Sequence, residues 1–322
     1  MSGSAPRESR TLGSSPSILP LYARAAAPMV PGASLLPFIP GGGGEIPDVE
    51  LELTGVRPDP ADLAAYAKVC GFALRDQLPP TYPHLLAFPL HMAVMADGSF
   101  PFGAVGLVHL ENRIEQRRPL GAGEELTIRV HPTPLRPHSK GRTFSLVTEV
   151  LAGSEIAWES ESTMLRRGKP VEVVVEPGMR DEVRPQAGDG GFPTLPDDAP
   201  ASAEWRLDGG LGRRYGGVSG DRNPIHMHSL TAKPLGFPAA IAHGMWTKAR
   251  CLAAMEGRLP DAFGVDVQFR KPILLPSKVE FASAERDGET LFSVRNSKRE
   301  ITHLDGRVRP VEANPQAQTE RN

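Results

Sequence analysis

The chain has 322 residues, with 36 Lys plus Arg against 38 Asp plus Glu and a formal charge of -2. That balance supplies no global field for nucleic acid and no acidic tail, so the partners it implies are small molecules or other proteins. Its two cysteines, Cys70 and Cys251, exclude a disulfide framework and a CxxC metal site, and no apolar run reaches the length of a membrane span.

The same features describe a cytoplasmic enzyme with reduced thiols, long enough for two domains of average size. The first residues lack the charged-then-apolar order of a secretory signal. Residues 1–45 read as a disordered and linker arm, with one short helix over 18–27 and an unbroken glycine run at 41–44. A first domain spans 46–168. Its strand at 49–53 alternates with period two, its helix at 61–69 can be capped by Asp59 or Asp62 and stopped by Gly71, and its apolar segment at 85–95 has about three helical turns. Four strand-like runs follow, at 105–116, 124–130, 142–151 and 156–165, punctuated by Gly, Pro and charged turns.

Residues 169–201 are rich in Gly, Pro, Asp and Glu and read as an interdomain linker. The second domain, 202–309, repeats the order: a strand at 203–207, a short helix at 211–218, an apolar helix from His243 or Gly244 to Glu256 closed by Gly257, and strands at 263–272, 278–284, 290–295 and 301–308. A tail at 310–322 is polar and expected to be mobile. Helices early and antiparallel strands late in each half place the fold in the α+β class. The halves overlay at an offset of about 150 residues, a repeat of domain size. Tyr66 through Phe72 lies over Tyr215 through Asp221, and Pro89-Leu90-His91-Met92 over Ala242-His243-Gly244-Met245. Phe72 stands where the second half has Asp221.

The chemistry concentrates in Ser219-Gly220-Asp221-Arg222-Asn223-Pro224-Ile225-His226 and Ile241-Ala242-His243-Gly244-Met245. A carboxylate with a nearby imidazole can take a proton from water and deliver one to carbon near neutral pH. Pro224 pushes Asn223 toward extended backbone, so Asp221 and His226 should stand at opposite ends of a compact turn that converges on one water. Gly244, at the head of the apolar helix, offers a main-chain N–H to a developing oxyanion, or else allows close packing of helix on sheet. Asn223 and Ser219 are turn residues first and ligand contacts second. His243 reads as a helix-start histidine bonded to backbone, outside the turn of the dyad. His84, His91 and His109 have no ligand spacing and read as structural. Phe72, Tyr82, Phe88, Phe100 and Phe102 could line an acyl tunnel, with the core as their default place. Arg117-Arg118 and Arg166-Arg167 read as solvated strand ends, one pair of which could meet phosphate at a cleft mouth.

These residues resemble the hydratase motif of the MaoC-like, (R)-specific enoyl-thioester hydratase/dehydratase family. The whole span 18–309 further resembles the double-hotdog (3R)-hydroxyacyl-thioester dehydratases of the actinobacterial type. The resemblance implies two hotdog domains, each an antiparallel sheet wrapped around a central helix, with the second catalytic and the first reshaped to admit an acyl chain. It implies that Asp221 and His226 hold a water, that the Gly244 N–H receives the thioester oxygen, and that no metal or redox cofactor takes part. Acyl-CoA or acyl carrier protein would deliver the substrate to a monomer or homodimer. One departure is Leu252, where some small members carry a serine. Two other readings stay open: a hotdog thioesterase, which lacks a carboxylate or nucleophile over 245–255, and a non-catalytic acyl-thioester binding protein.

Overall fold

The structure is a computed structural model and describes residues 7–26, 44–104, 106–169 and 192–311. An N-terminal arm carries strand β1 (Glu8–Leu12) and helix α1 (Ile18–Ala26). The first half continues with β2 (Val49–Val56), α2 (Pro60–Cys70), α3 (Tyr82–Met95), β3 (Val108–Gln116), β4 (Leu126–Pro132), β5 (Arg136–His138), β6 (Gly141–Ala152) and β7 (Glu155–Arg167). The second half has β8 (Ala203–Leu207), α4 (Leu211–Ser219), α5 (Pro224–Met227), α6 (Ser229–Ala232), α7 (Gly244–Ala254), β9 (Phe263–Phe269), β10 (Ser277–Arg286), β11 (Glu289–Asn296) and β12 (Thr302–Pro310). The α+β order expected from sequence is the order found.

Local chemistry sets the elements. The Asp59 side chain accepts the Ala61 and Asp62 N–H groups, Pro60 takes the first turn of α2, and Gly71 closes it at φ 85°, a left-handed conformation that costs glycine little. Helix α3 has hardly any polar face and is buried along nearly its whole length, as a helix apolar all round must be.

All strands join one sheet in the order β1-β2-β4-β6-β7-β3-β9-β12-β11-β10-β8, with β5 on β6. Read outward from the β3–β9 seam, the two halves have matching orders, so the repeat seen in the sequence is a pseudo-twofold pairing across that seam. There Ile114 faces Val265 and Arg113 faces Asp266. The two expected domains therefore share one sheet, and one apolar cluster runs through both, from Leu51 and Tyr66 to Tyr215 and Val308.

The arm and the linker differ from expectation. Residues 8–12 had been expected to be disordered, but they pair parallel to β2, Glu8 opposite Val49 and Leu12 opposite Leu53. Their side chains stay largely exposed. Open main-chain groups on an edge strand hold them, not burial, so hydropathy carries no trace of the strand. The helix expected at 18–27 is present as α1. The linker residues 27–43 and 170–191, and the tail beyond residue 311, lie outside the described residues. The end of the interdomain linker is fastened down: Leu195 is buried against Ala282 and Leu291. The Arg295 guanidinium donates to the carbonyls of Asp197, Leu195 and Pro196. Cys70 and Cys251 are buried, free thiols. Among the described residues, no helix is long and apolar enough to cross a membrane.

Lys248 of α7 ties the central helix of the second half to the seam. It is wholly buried, and its Nζ donates to Asn112 Oδ1 at 2.6 Å, Val265 O at 3.0 Å and Asn112 O at 3.1 Å. Burial pulls its pKa well below the ordinary lysine value, yet three acceptors are what a three-donor ammonium, and not a two-donor amine, satisfies. Lys248→Met keeps the stem and strands all three acceptors. It should lower stability by about 2–4 kcal/mol, read from urea unfolding; an unchanged midpoint would remove Lys248 from the bonds that hold the seam.

Candidate active site

The site begins with two glycines one turn apart on α4. A Cβ on Gly212 would overlap the His226 carbonyl oxygen, and one on Gly216 would stand 2.7 Å from the Asp221 carbonyl oxygen. Without side chains there, the segment from Asp221 to Met227 lies directly on the helix. Gly220 turns the chain at φ 75°, and Asn223 follows at φ -54° and ψ 128°, the extended geometry that a following proline imposes. Pro224 does not merely make a turn, however. It opens α5, where its missing N–H costs nothing, and Asn223 Oδ1 caps that helix by accepting the Ile225 N–H. His226 thus sits on a short helix instead of at the end of a plain turn.

Main-chain contacts assign the imidazole protons. His226 Nδ1 lies 2.8 Å from the Ile241 carbonyl; a carbonyl only accepts, so Nδ1 carries the proton and Nε2 of the neutral ring is bare. His243 Nε2 lies 2.9 Å from the Asp221 carbonyl and by the same argument donates. The backbone bond foreseen for His243 is present, but its separation from the dyad is not: the ring stacks on His226 at 3.7 Å between centroids. The segment 241–244, from the isolated bridge at Ile241 to the start of α7, folds back onto the loop, a proximity no local spacing reveals.

Asp221 is held on several sides. Its N–H donates to Ser219 Oγ at 3.1 Å, and its Oδ1 accepts the Asn223 N–H at 3.2 Å and the Tyr22 hydroxyl at 2.9 Å. Its Oδ2 lies 3.8 Å from His243 Nε2. Burial raises the Asp221 pKa, but the Asn223 N–H and the Tyr22 hydroxyl on Oδ1 help hold it below the usual aspartate value. Tyr22, 199 residues away, went unnoticed in the sequence; the one clue is a phenol in a short helix whose other polar side chain is Arg24.

Gly244 is the first residue of α7, and His243 at the cap position makes no side-chain bond to the helix start. The first-turn N–H groups are left uncapped by it, with the positive end of the helix dipole. A Cβ on Gly244 would stand 2.8 Å from the Phe269 ring, so close packing also requires this glycine.

Asp221, Asn223, Ser219, His226, His243 and Gly244 all line a cavity of about 300 Å³ built by both halves. So do His84, His91, His109 and His303: six of the chain's nine histidines surround one space. The first three are therefore not scattered, since helix α3 and strand β3 converge in the fold; their burial, with His91 Nε2 on Thr148 Oγ1, agrees with the structural reading. Each of the six has its pKa lowered, burial first in every case, with His91 and His243 pulled down to about 3. Of the five aromatic residues proposed for a tunnel, Phe88 lines the cavity. The others are core: Phe72 stacks on Tyr66, which meets Tyr82 edge-on, and Phe100 and Phe102 pack with Phe144. Leu252 is fully buried. At the mouth, the exposed Arg167 and Lys271 line the opening together with Arg270, which is ion-paired to Asp305, whereas Arg117 and Arg118 are taken up by glutamates.

One oxygen of Asp221 and one nitrogen each of His226 and His243 lie within 4.8 Å of one another. One nitrogen of each ring already donates to a main-chain carbonyl, which leaves one bare nitrogen on each. A single water, at about 2.8 Å from each of two acceptors, spans the separation of Asp221 and His226.

The family model described as MaoC like domain matches residues 205–306. The 3-hydroxyacyl-thioester dehydratase X of Mycobacterium tuberculosis is 38% identical over 277 residues, which cover 86% of this chain and 94% of the relative. A crystal structure of HtdX from M. tuberculosis superposes with a TM-score of 0.69 at 36% identity, covering 81% of this chain and 100% of that one. A MaoC-like dehydratase from Phytophthora capsici shares the fold, with a TM-score of 0.65 at 20% identity over 82% of this chain and 95% of its own.

The neutral histidines make the fold acid-labile. An unfolded histidine takes its proton near pH 6.5, whereas these rings resist it, so their contribution is full above that pH and lost as pH falls. Each ring held neutral removes about 1.4 kcal/mol per pH unit below about 6.5. The urea midpoint should drop steeply between pH 6.5 and 4.5, and His91→Gln should flatten that slope by one proton; a midpoint constant over this range would refute the neutral assignment.

Proposed function

The chain belongs to the MaoC-like dehydratase family and is a hydratase/dehydratase of acyl thioesters; from that premise we propose (R)-specific addition of water to trans-2-enoyl thioesters and, in reverse, dehydration of (3R)-3-hydroxyacyl thioesters in fatty acid metabolism. The observation that carries this reading is the Asp221 carboxylate and the His226 imidazole, with ligand atoms within 4.8 Å of each other, on the cavity that also holds the start of α7.

The anionic Asp221 and the bare Nε2 of His226 both accept, so together they orient one water through its two protons. The Gly244 N–H receives the thioester oxygen and polarises the conjugated system toward C3. As the water oxygen bonds to C3, one of its protons passes to the dyad and charge gathers on the thioester oxygen, where an oriented donor is worth about 3–4 kcal/mol. Return of that proton to C2 from the same side completes the addition. One water supplies both OH and H and no electrons are exchanged, so the reaction needs no metal or redox group. His243 does no proton work here: its one N–H is spent on the Asp221 carbonyl.

The part of the cavity in the first half is lined by Leu85, Phe88, Met95, Leu107 and Leu146, an apolar wall for the acyl chain. Arg167, Arg270 and Lys271 at the mouth suit the phosphates of CoA or of a carrier protein's phosphopantetheine. Both halves contribute to the cavity, so one chain builds a whole site, as a monomer or as each protomer of a homodimer. Two buried, unpaired thiols support a cytoplasmic setting.

The test is loss of enoyl absorbance with crotonyl-CoA and a longer trans-2-enoyl-CoA, followed by chiral analysis of the product. A (3R) product, formed faster from the longer chain, is expected, with kcat lower by about 10²–10⁴ in Asp221→Asn. Release of free thiol, or an undiminished rate in the Asn variant, would overturn the reading.

A further inference from the structure

We propose that Tyr22, carried by α1 of the N-terminal arm, is a positioning residue of the active site: its hydroxyl occupies Oδ1 of Asp221 and so presents Oδ2 to the reacting water. The proposal rests on the hydration reading above.

The hydrogen bonds settle the direction. The Tyr22 oxygen accepts the Arg222 N–H at 2.8 Å, which leaves its own proton for Asp221 Oδ1 at 2.9 Å. Burial first, and then the charge of Asp221, push the phenol far above its ordinary pKa, so it stays a donor at every working pH. With Asn223 N–H also on Oδ1, that oxygen has two donors. Among the described residues, the contact of Oδ2 is His243 Nε2 at 3.8 Å, and that N–H is turned to a main-chain carbonyl. Asp221 lines the cavity and Tyr22 does not, so the phenol acts through the carboxylate and not on substrate.

The arm is built to deliver this group. Strand β1 fixes its beginning to the sheet edge, and Leu21 and Tyr22 pack on the common core. Ile18 fills the space at Gly220 where any side chain would collide with it. A segment joined to the first half thus reaches the acid of the second. The groups facing Asp221 are Tyr22 from α1, His226 from α5, His243 at the head of α7, Tyr215 from α4 and, farther off, His109 from β3. Among them, the phenol is the side-chain donor to the carboxylate. Its loss frees the carboxylate to rotate and makes the Asp221–His226 pair more basic.

The test uses the full chain with Tyr22→Phe and the longer trans-2-enoyl-CoA. The variant should lose about 10- to 100-fold in kcat with KM changed no more than about threefold, and the acid limb of its kcat/KM profile should move to higher pH. A merely structural phenol would leave that limb in place. Site-specific 3-fluorotyrosine at position 22, a stronger donor in the same ring, should move the limb to lower pH and covers the case in which the Phe variant folds poorly. Wild-type kcat and acid limb in Tyr22→Phe, or an unmoved limb with fluorotyrosine, would overturn the proposal. A ¹³C titration of the Asp221 carboxyl separates the two readings, because it needs no turnover. A midpoint higher in Tyr22→Phe supports the positioning role even if the wild type hydrates nothing, and equal midpoints refute it even if the wild type is active.

Discussion

Everything at the site depends on the β3–β9 seam. Six facing residue pairs, Glu111–Gln268 through Gln116–Phe263, turn two half-sheets into one, and Lys248 pins α7 beneath them through Asn112 and Val265. A cavity can then have its acid and helix start in one half and much of its wall in the other. The arrangement also explains why the halves could diverge. Phe72, at the position matching Asp221, is buried on Tyr66, so the first half has an apolar core contact where the second has a carboxylate.

The second constraint is electrostatic. Six histidines crowd a largely apolar space, and ionising them there would cost more than burial allows. They stay neutral, and Asp221 remains the charged group beside His226 and His243. That assignment matters for the chemistry. A protonated His226 would have no lone pair for water, and a protonated His243 would pull on Asp221 Oδ2, the oxygen that must stay open. Stacking two neutral imidazoles at 3.7 Å is possible because neither carries charge. The fold's acid lability is the consequence of an arrangement that keeps the dyad basic.

The fold was legible because its signals are local. Period-two strands, Asp59 before Pro60, Gly71 after α2 and the apolar helices each declare themselves within a few residues, and the repeat offset foretold the paired halves. The motif on which the proposed dyad rests was legible for the same reason: Asp221, Asn223, Pro224 and His226 form one continuous stretch. What could not be read depends on distance. His84 and His91 sit one helix away from His109, and none of them has a spacing that points to the others. Residues 8–12 bury almost nothing and are held by an edge, which leaves no hydropathic mark. Tyr22 meets Asp221 across 199 residues, on a helix that was expected but whose partner in the second half no spacing could show.

These failures share a physical cause that bears on how such a site evolves. A duplicated scaffold begins with equivalent loops after α2 and α4, but here the first is the short stretch 71–81 and the second runs from 220 to 243, folding α5 and α6 on its way. The longer loop can carry an acid and a base only if something presses it flat and something else stops the acid from turning. Gly212 and Gly216 do the first, by letting the loop carbonyls touch the helix. The second needs a donor, and the neighbouring histidines cannot supply it, since His226 and His243 have each spent their N–H on a carbonyl. A hydroxyl brought from outside both halves meets that need without adding charge. An arm that looks dispensable by burial is therefore, by hydrogen-bond accounting, the piece that completes the acid's coordination.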